Sequence, residues 1–262
     1  MSKLKAAVIG VGGISNEHIN GYIKNPDVEL YAFCDINEKQ LRLMSEKYGI
    51  PAERCFIDKD EMFKALPEID IVSVCTWNAA HADCTIAALN AGKDVICEKP
   101  MAMNTAEAEE MLATAKKNGK HLQIGFVRRY GNDADVMRDF IDSGKFGDIY
   151  YAKAQYVRRH GNPGGWFGDV SYSGGGPLID IGTHALDLTL WMMDNYKPKY
   201  CVGTTYHKLN KDTNQGNAWG NWDPDKFTVE DSAFGFIVME NGATINLEAA
   251  WAINMLEVRE AT

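Results

Sequence analysis

The chain has 262 residues, 45% hydrophobic and 24% charged, which is enough apolar material for a core and excludes a mainly disordered chain. Its 27 basic and 36 acidic residues give a net charge of -9, so nucleic acid is not expected as a partner; nor is a membrane, with no polybasic patch and no run of about 18 apolar residues. The cysteines at 34, 55, 75, 84, 97 and 201 form no Cys-x-x-Cys pair and several sit in apolar runs, as small buried hydrophobes of a reducing compartment would; with an N-terminus too quickly polar for a secretory signal, a cytoplasmic protein is expected.

Over the first half, strand patterns alternate with amphipathic helical ones. Strands are predicted over 6–9, 28–34, 70–75, 94–97 and 121–126, with a weaker one at 55–58. Helices are predicted over 14–24, 38–48, 79–90 and 105–117, the last with Asn104 as N-cap and Gly119 as the glycine that ends it. Strands apolar on both faces and separated by helices predict a parallel sheet covered on both sides. The pattern then changes. A helix over 132–143 leads to an alternating strand over 149–159, a glycine-rich stretch over 161–176 and a helix over 177–194. Strands at 200–207, 229–239 and 243–251 follow, the last two joined by Asn241-Gly242, a strong hairpin signal. The polar segment 208–226 is long enough to suggest a flap or binding loop. The predicted fold is an α/β Rossmann domain over 1–127 followed by an α+β domain with a mostly antiparallel sheet over 128–262.

The first strand runs into Gly10-Val11-Gly12-Gly13-Ile14-Ser15 and a helix begins. Gly10 permits the tight turn, Gly12 and Gly13 let backbone approach a pyrophosphate, and the helix amino terminus from Ile14 offers unpaired N–H groups and a partial positive charge. Ser15 replaces the third glycine and is small enough to keep helix and strand close. Asp35, ending the second strand, is placed to accept hydrogen bonds from a ribose 2′-hydroxyl and to repel a 2′-phosphate. With no Arg or Lys at 36 or 37, NAD is expected rather than NADP.

In an open parallel sheet, ligands bind beyond the carboxyl ends of the strands. Lys99, in Glu98-Lys99-Pro100 after the strand at 94–97, is there a surface lysine or an ammonium able to polarise a substrate oxygen. The loop Thr76-Trp77-Asn78, followed by His81, lines the cofactor groove or, through Asn78, caps the next helix. On the helix from Pro177, apolar nearly all round, Asp180, His184 and Asp187 recur at spacings of four and three. Such a stripe needs a partner, because unpaired buried polar groups are costly. Three readings stand: an internally satisfied Asp–His pair, a metal site with His160 as a third ligand, or an acid–base pair with His184 moving the proton.

Taken together, Gly10-Val-Gly12-Gly13, Glu98-Lys99-Pro100, Gly125-Phe-Val-Arg128-Arg129-Tyr130 and Gly174-Gly-Gly-Pro-Leu-Ile-Asp180-Ile-Gly-Thr-His184-Ala-Leu-Asp187 resemble the Gfo/Idh/MocA family (glucose–fructose oxidoreductase, inositol dehydrogenase and a rhizopine-catabolism protein) along essentially the whole chain. The resemblance implies oxidation or reduction of a carbinol on a sugar, sugar derivative or cyclitol with NAD or NADP, and no catalytic metal. It places catalysis on Lys99, Asp180 and His184. It places cofactor contacts at Thr76, Trp77, Asn78, His81, Glu98 and Lys99, with Arg128 and Trp166 as looser contacts. Tyr156, Arg158, His160, Asn162, Trp166, Trp219 and Trp222 suit a small polyhydroxylated substrate with one apolar face. His184 would take the hydroxyl proton while Lys99 stabilises the developing alkoxide. Two rivals use the same residues: an NAD-dependent glycoside hydrolase working by transient oxidation and elimination, and a catalytically silent NAD-binding sensor. Family members usually continue beyond the position of Thr262 with further strands and a closing helix, so an incomplete second domain is expected, along with a homo-oligomer through its sheet where that sheet is complete.

Overall fold

The computed structural model describes residues 2–208, 211–212, 217–219 and 221–254. The chain forms two compact units that divide between Gly125 and Phe126.

The first unit alternates strand and helix: β1 (Leu4–Ile9), α1 (Ser15–Lys24), β2 (Val28–Cys34), α2 (Glu38–Tyr48), β3 (Cys55–Phe56), α3 (Lys59–Ala65), β4 (Ile71–Val74), α4 (His81–Asn90), β5 (Asp94–Cys97), α5 (Thr105–Asn118) and β6 (Leu122–Ile124). The strands make one parallel sheet in the order β3-β2-β1-β4-β5-β6. The order reverses between β1 and β4, which opens a crevice beyond their carboxyl ends. Both faces are buried. Ala7 and Ile9 of β1 pack into one cluster with Val72, Val74, Leu89 and Met111, while Ala6 and Val8 pack into another with Ile19, Phe33, Leu41 and Met44. That is the period-2 alternation of a strand covered on both sides. The caps of α5 are as predicted: Asn104 accepts from the Glu107 N–H at 3.0 Å, and Gly119 closes the helix at φ +61°. The structure corrects one stretch. The strand expected at 55–58 shortens to two residues, and a helix not foreseen, α3, follows, capped by Asp58 accepting from the Glu61 N–H at 2.9 Å.

The second unit contains α6 (Asn132–Asp142), β7 (Tyr151–Val157), the short α7 (Val170–Ser173), α8 (Thr183–Met193), β8 (Pro198–Tyr206), β9 (Ser232–Met239) and β10 (Thr244–Ala250). Its sheet runs β7-β10-β9-β8, with β7 and β10 parallel and the other pairs antiparallel. The hairpin between β9 and β10 turns at Asn241-Gly242, with Gly242 at φ +88°, where a side chain would be strained. Ala185, Leu186 and Leu190 of α8 pack against Ala154, Met239 and Ile245 of the sheet. The helix predicted over 177–194 does not begin as an α-helix. Leu178–Gly182 form a π-helical turn before α8. There the Thr183 hydroxyl donates back to the Ile179 carbonyl at 3.0 Å, and a side chain at Gly182 would lie 3.1 Å from the Ala249 methyl. Within the segment expected as a flap, residues 209–210, 213–216 and 220 lie outside the described residues, as do 255–262 at the C-terminus. No helix among the described residues is long and apolar enough to cross a membrane.

Candidate functional site

The first unit gathers its predicted residues at the carboxyl ends of β1, β2, β4 and β5. Gly10 has φ +83°, and a Cβ there would stand 2.8 Å from the Cys75 carbonyl and the Thr76 nitrogen, so only glycine lets the two loops pass. By contrast, a Cβ at Gly12 or Gly13 would meet nothing within 4 Å, so this stretch of loop faces open space. Ser15 is fully buried at the start of α1 and donates its hydroxyl to the Gly12 carbonyl at 2.7 Å, consistent with a residue chosen for small size. Asp35 reaches the loop directly: the Val11 N–H donates to one carboxylate oxygen and the Asn37 N–H to the other, each at 2.8 Å. The acid is thereby fixed against the glycine turn, where a ribose beside a pyrophosphate would lie.

Two residues expected to line the cofactor groove are engaged elsewhere. His81 is 1% exposed, its Nδ1 lies 2.7 Å from the Pro100 carbonyl and its Nε2 3.2 Å from the Thr76 carbonyl. Its side chain braces the Thr76 loop to the turn bearing Lys99. Burial pushes its pKa down, and the two carbonyls only partly oppose this. Glu98 is also buried, and its carboxylate lies 2.8 Å from His18 Nε2. Burial opposes its charge, but the His18 hydrogen bond and then the neighbouring Lys99 outweigh that and hold the carboxyl below its ordinary range. His18, Ser73 and Tyr22, which complete this network, carry no signal in the sequence pattern. Lys99 follows, joined to Pro100 by a cis peptide bond, and Asn78 is buried at the start of a 3₁₀ turn leading into α4.

In the second unit, Asp180 lies buried in the π-helical turn and accepts from Trp251 Nε1 at 2.8 Å. Trp251 is fully buried, edge-on to Phe227. Asp187 is held by a bidentate pair of bonds from Arg129, so this member of the stripe has a structural partner. The ring of His184 lies 6.4 Å from that of Tyr156. The Tyr156 hydroxyl accepts from Arg128 Nη2 at 3.1 Å and from Arg158 Nη2 at 3.3 Å. Burial acts to raise the phenol's pKa, but the hydrogen bonds and charges of Arg158 and Arg128 outweigh it and the net shift is downward. Arg128, expected on the cofactor side, thus groups with Tyr156 and Arg158. Arg158 also stacks over the Trp219 ring at 4.6 Å.

Asn162, expected among the substrate residues, shapes a turn. It is 4% exposed, its side-chain oxygen accepts from the Gly164 N–H at 2.9 Å, and its backbone is clasped by Asn217. His160 is exposed, with its carbonyl accepting from the Ala218 N–H. Trp166 stacks on Phe167 at 3.9 Å, and Trp222 packs beside Phe227 and Trp251. Among the described residues no group of three or more His, Cys, Asp or Glu side chains is arranged to hold a metal ion. A feature the sequence reading missed is Glu230, which accepts from the Gly176 N–H at 2.9 Å and the Leu178 N–H at 3.3 Å, satisfying the amino end of the π-helical turn. Its carbonyl would lie 2.0 Å from a Cβ at Gly176, which explains why the turn is preceded by glycine.

Residues 4–126 match a family described as an oxidoreductase family with an NAD-binding Rossmann fold, and residues 135–259 match the GFO/IDH/MocA C-terminal domain. Over 258 residues, 98% of this chain and 72% of the relative, the sequence is 38% identical to D-glucoside 3-dehydrogenase of Escherichia coli K12. The chain belongs to the Gfo/Idh/MocA oxidoreductase family. Among solved structures, the family fold matches an aldose-aldose oxidoreductase from Caulobacter crescentus complexed with glycerol, with TM-score 0.81 and 28% identity, covering 96% of this chain and 72% of that one. It also matches GenD2 from gentamicin A biosynthesis in complex with NAD, with TM-score 0.81 and 25% identity, covering 98% of this chain and 68% of that one.

Proposed function

We propose that this chain oxidises a secondary carbinol of a sugar or glycoside and passes the hydride to NAD. The observation that carries the reading is the 38% identity to D-glucoside 3-dehydrogenase, in a chain whose glycine loop is open at Gly12 and Gly13 and fixed by Asp35. That loop fits a dinucleotide: Gly12, Gly13 and the amino end of α1 would hold the pyrophosphate, and the Asp35 carboxylate the ribose hydroxyls. Asp35 favours NAD over NADP because a fixed negative charge repels a 2′-phosphate. Replacing it as Asp35→Asn should weaken NADH binding and narrow the preference over NADPH; an unchanged ratio of the two dissociation constants removes this assignment.

Bound NAD supplies the hydride acceptor. The protein's own residues handle the proton and the charge. In this reading His184 is the group that accepts the carbinol proton and Lys99 the ammonium that stabilises negative charge developing on substrate oxygen. Asp180, oriented by Trp251, holds His184 or a substrate hydroxyl in place. Arg128, Tyr156 and Arg158 offer donors to the substrate's other hydroxyls, and Trp166 and Trp219 an apolar face. A panel of aldoses, glycosides and cyclitols followed by NADH absorbance tests the reading, with net NADH formation as the expected result. His184→Ala should lose at least about 100-fold in kcat, the lower end for general acid–base catalysis, while still binding NADH. Wild-type turnover in that variant would overturn the role. Self-association through the second sheet belongs to the same reading: Tyr200, Val202, Tyr206 and Phe236 of β8 and β9 are exposed. A monomer by light scattering across a wide concentration range would remove that part.

A further inference from the structure

A buried chain of hydrogen bonds in the first unit ends on the residue before Lys99. The Tyr22 hydroxyl lies 2.6 Å from Ser73 Oγ, Ser73 Oγ 2.9 Å from His18 Nδ1, and His18 Nε2 2.8 Å from a Glu98 carboxylate oxygen. Every member is sequestered: Ser73 is 0% exposed, Glu98 7%, Tyr22 9%, and the His18 side chain 12%. One order uses each hydrogen once: Tyr22 donates to Ser73, Ser73 donates to His18 Nδ1, and the His18 Nε2–H donates to the carboxylate. Such a chain polarises in one direction and strengthens its last bond. Burial pushes the Tyr22 phenol up to about 12, so it keeps its proton. The same Glu98 oxygen is also approached by Gly125, where a Cβ would lie 3.1 Å from it. Glu98 thus sits against an imidazole and close to a glycine backbone, at the carboxyl end of β5.

We propose that His18 is a positioning residue: by donating to Glu98 it fixes that carboxylate's charge and direction, and through it the turn that carries Lys99. The inference rests on the dehydrogenase reading only for its kinetic consequence. It does not make His18 a group that touches substrate. The groups facing Glu98 are His18 from α1, Cys75 after β4, Cys97 at the end of β5, Lys99 next in the chain, and His81 of α4. Of these, His18 makes the direct side-chain hydrogen bond that favours the ionised form. Without it, burial acts against the charge with less opposition.

The test uses the full chain with NADH bound and the variants His18→Ala and His18→Gln, whose amide retains an N–H donor. Carbon-13 resonances of glutamate carboxyls, with Glu98 assigned through Glu98→Gln, follow its titration. Wild type should keep Glu98 ionised through the ordinary carboxylate range. His18→Ala should move its titration upward in pH, and His18→Gln should restore much of the difference. Where the wild type turns over a sugar, His18→Ala should lower kcat about 10- to 100-fold, the size expected for a misplaced catalytic group, with little change in sugar KM or NADH affinity. An unshifted Glu98 titration in His18→Ala overturns the proposal. So does a Gln variant no better than the Ala variant, or a kcat loss matched by equal losses of NADH affinity and melting temperature. A wild type with no sugar turnover overturns the dehydrogenase reading, while the Glu98 titration still decides the role of His18.

Discussion

Replacing Gly12 with alanine separates a ligand-binding loop from a merely tight one. A Cβ at Gly12 meets nothing within 4 Å, and its φ is outside the left-handed region, so the folded chain should accept a methyl group there. Stability should stay within about 0.5 kcal/mol, as for an uninvolved surface change. The methyl would, however, occupy the space through which the backbone approaches a pyrophosphate. Losing one hydrogen bond to a charged group costs about 1.5–3 kcal/mol, which is roughly 10- to 150-fold in Kd for NADH. Gly10→Ala should do the opposite. The left-handed φ costs about 1–2 kcal/mol, and the overlap with the Cys75 carbonyl and Thr76 nitrogen adds about 1–3 kcal/mol, because backbone cannot swing aside as a side chain can. The resulting loss of about 2–5 kcal/mol is a large share of a typical 5–15 kcal/mol stability. Thermal melting and NADH titration by fluorescence, run on both variants, read the two effects apart. A Gly12→Ala protein with unchanged melting temperature and wild-type NADH affinity would refute the cradle.

Two further outcomes follow from the buried polar groups. Trp251→Phe removes the indole N–H from buried Asp180 while keeping an aromatic ring against Phe227, so a loss of about 1–3 kcal/mol is expected in urea denaturation; an unchanged midpoint would show that this bond contributes nothing. Stability should also fall on acidification. His81 and Glu98 both have folded-state pKa values below their ordinary ones, so on acidification the unfolded chain binds protons that the folded chain refuses. The His81 contribution is present above about pH 6.5 and fades below it, and that of Glu98 fades through the carboxylate range. His81→Leu should flatten the upper part of this profile, and a profile identical to wild type would count against the His81 assignment.

The nucleotide-binding half was legible because its chemistry is written in backbone requirements. Gly10 must be glycine at φ +83°, Asp35 ends an apolar strand, and Asn104 and Gly119 bracket a helix. The Asn241-Gly242 hairpin was legible for the same reason. The helix α3 was missed although Asp58 and Glu61 carry a capping spacing, because Cys55, Phe56 and Ile57 before it read as strand. The π-helical turn at Leu178–Gly182 was not legible, since periodicity assumes a regular helix. It arises from Gly182 against Ala249 and from Glu230 gripping the amino end, both contacts distant in sequence.

Polar partners are where pattern reading stops. A buried acid or imidazole announces that it needs a partner, but not which one. Trp251 lies 71 residues from Asp180, His18 80 from Glu98, and Arg129 58 from Asp187. In the stripe Asp180, His184 and Asp187, spacing made the three equal candidates for chemistry, and the Arg129 pair breaks that equality. Arg129→Ala leaves Asp187 largely buried without its bidentate partner, and the cost should approach about 3 kcal/mol, the low end for a broken buried pair because Arg129 is partly exposed. Turnover per folded molecule should stay near wild type if Asp187 serves only the fold. Urea denaturation and kcat normalised to active sites, titrated with NADH, measure the two separately. An Arg129→Ala protein as stable as wild type yet inactive would return Asp187 to the reacting groups and leave the placement of the proton-transfer residue to be argued again.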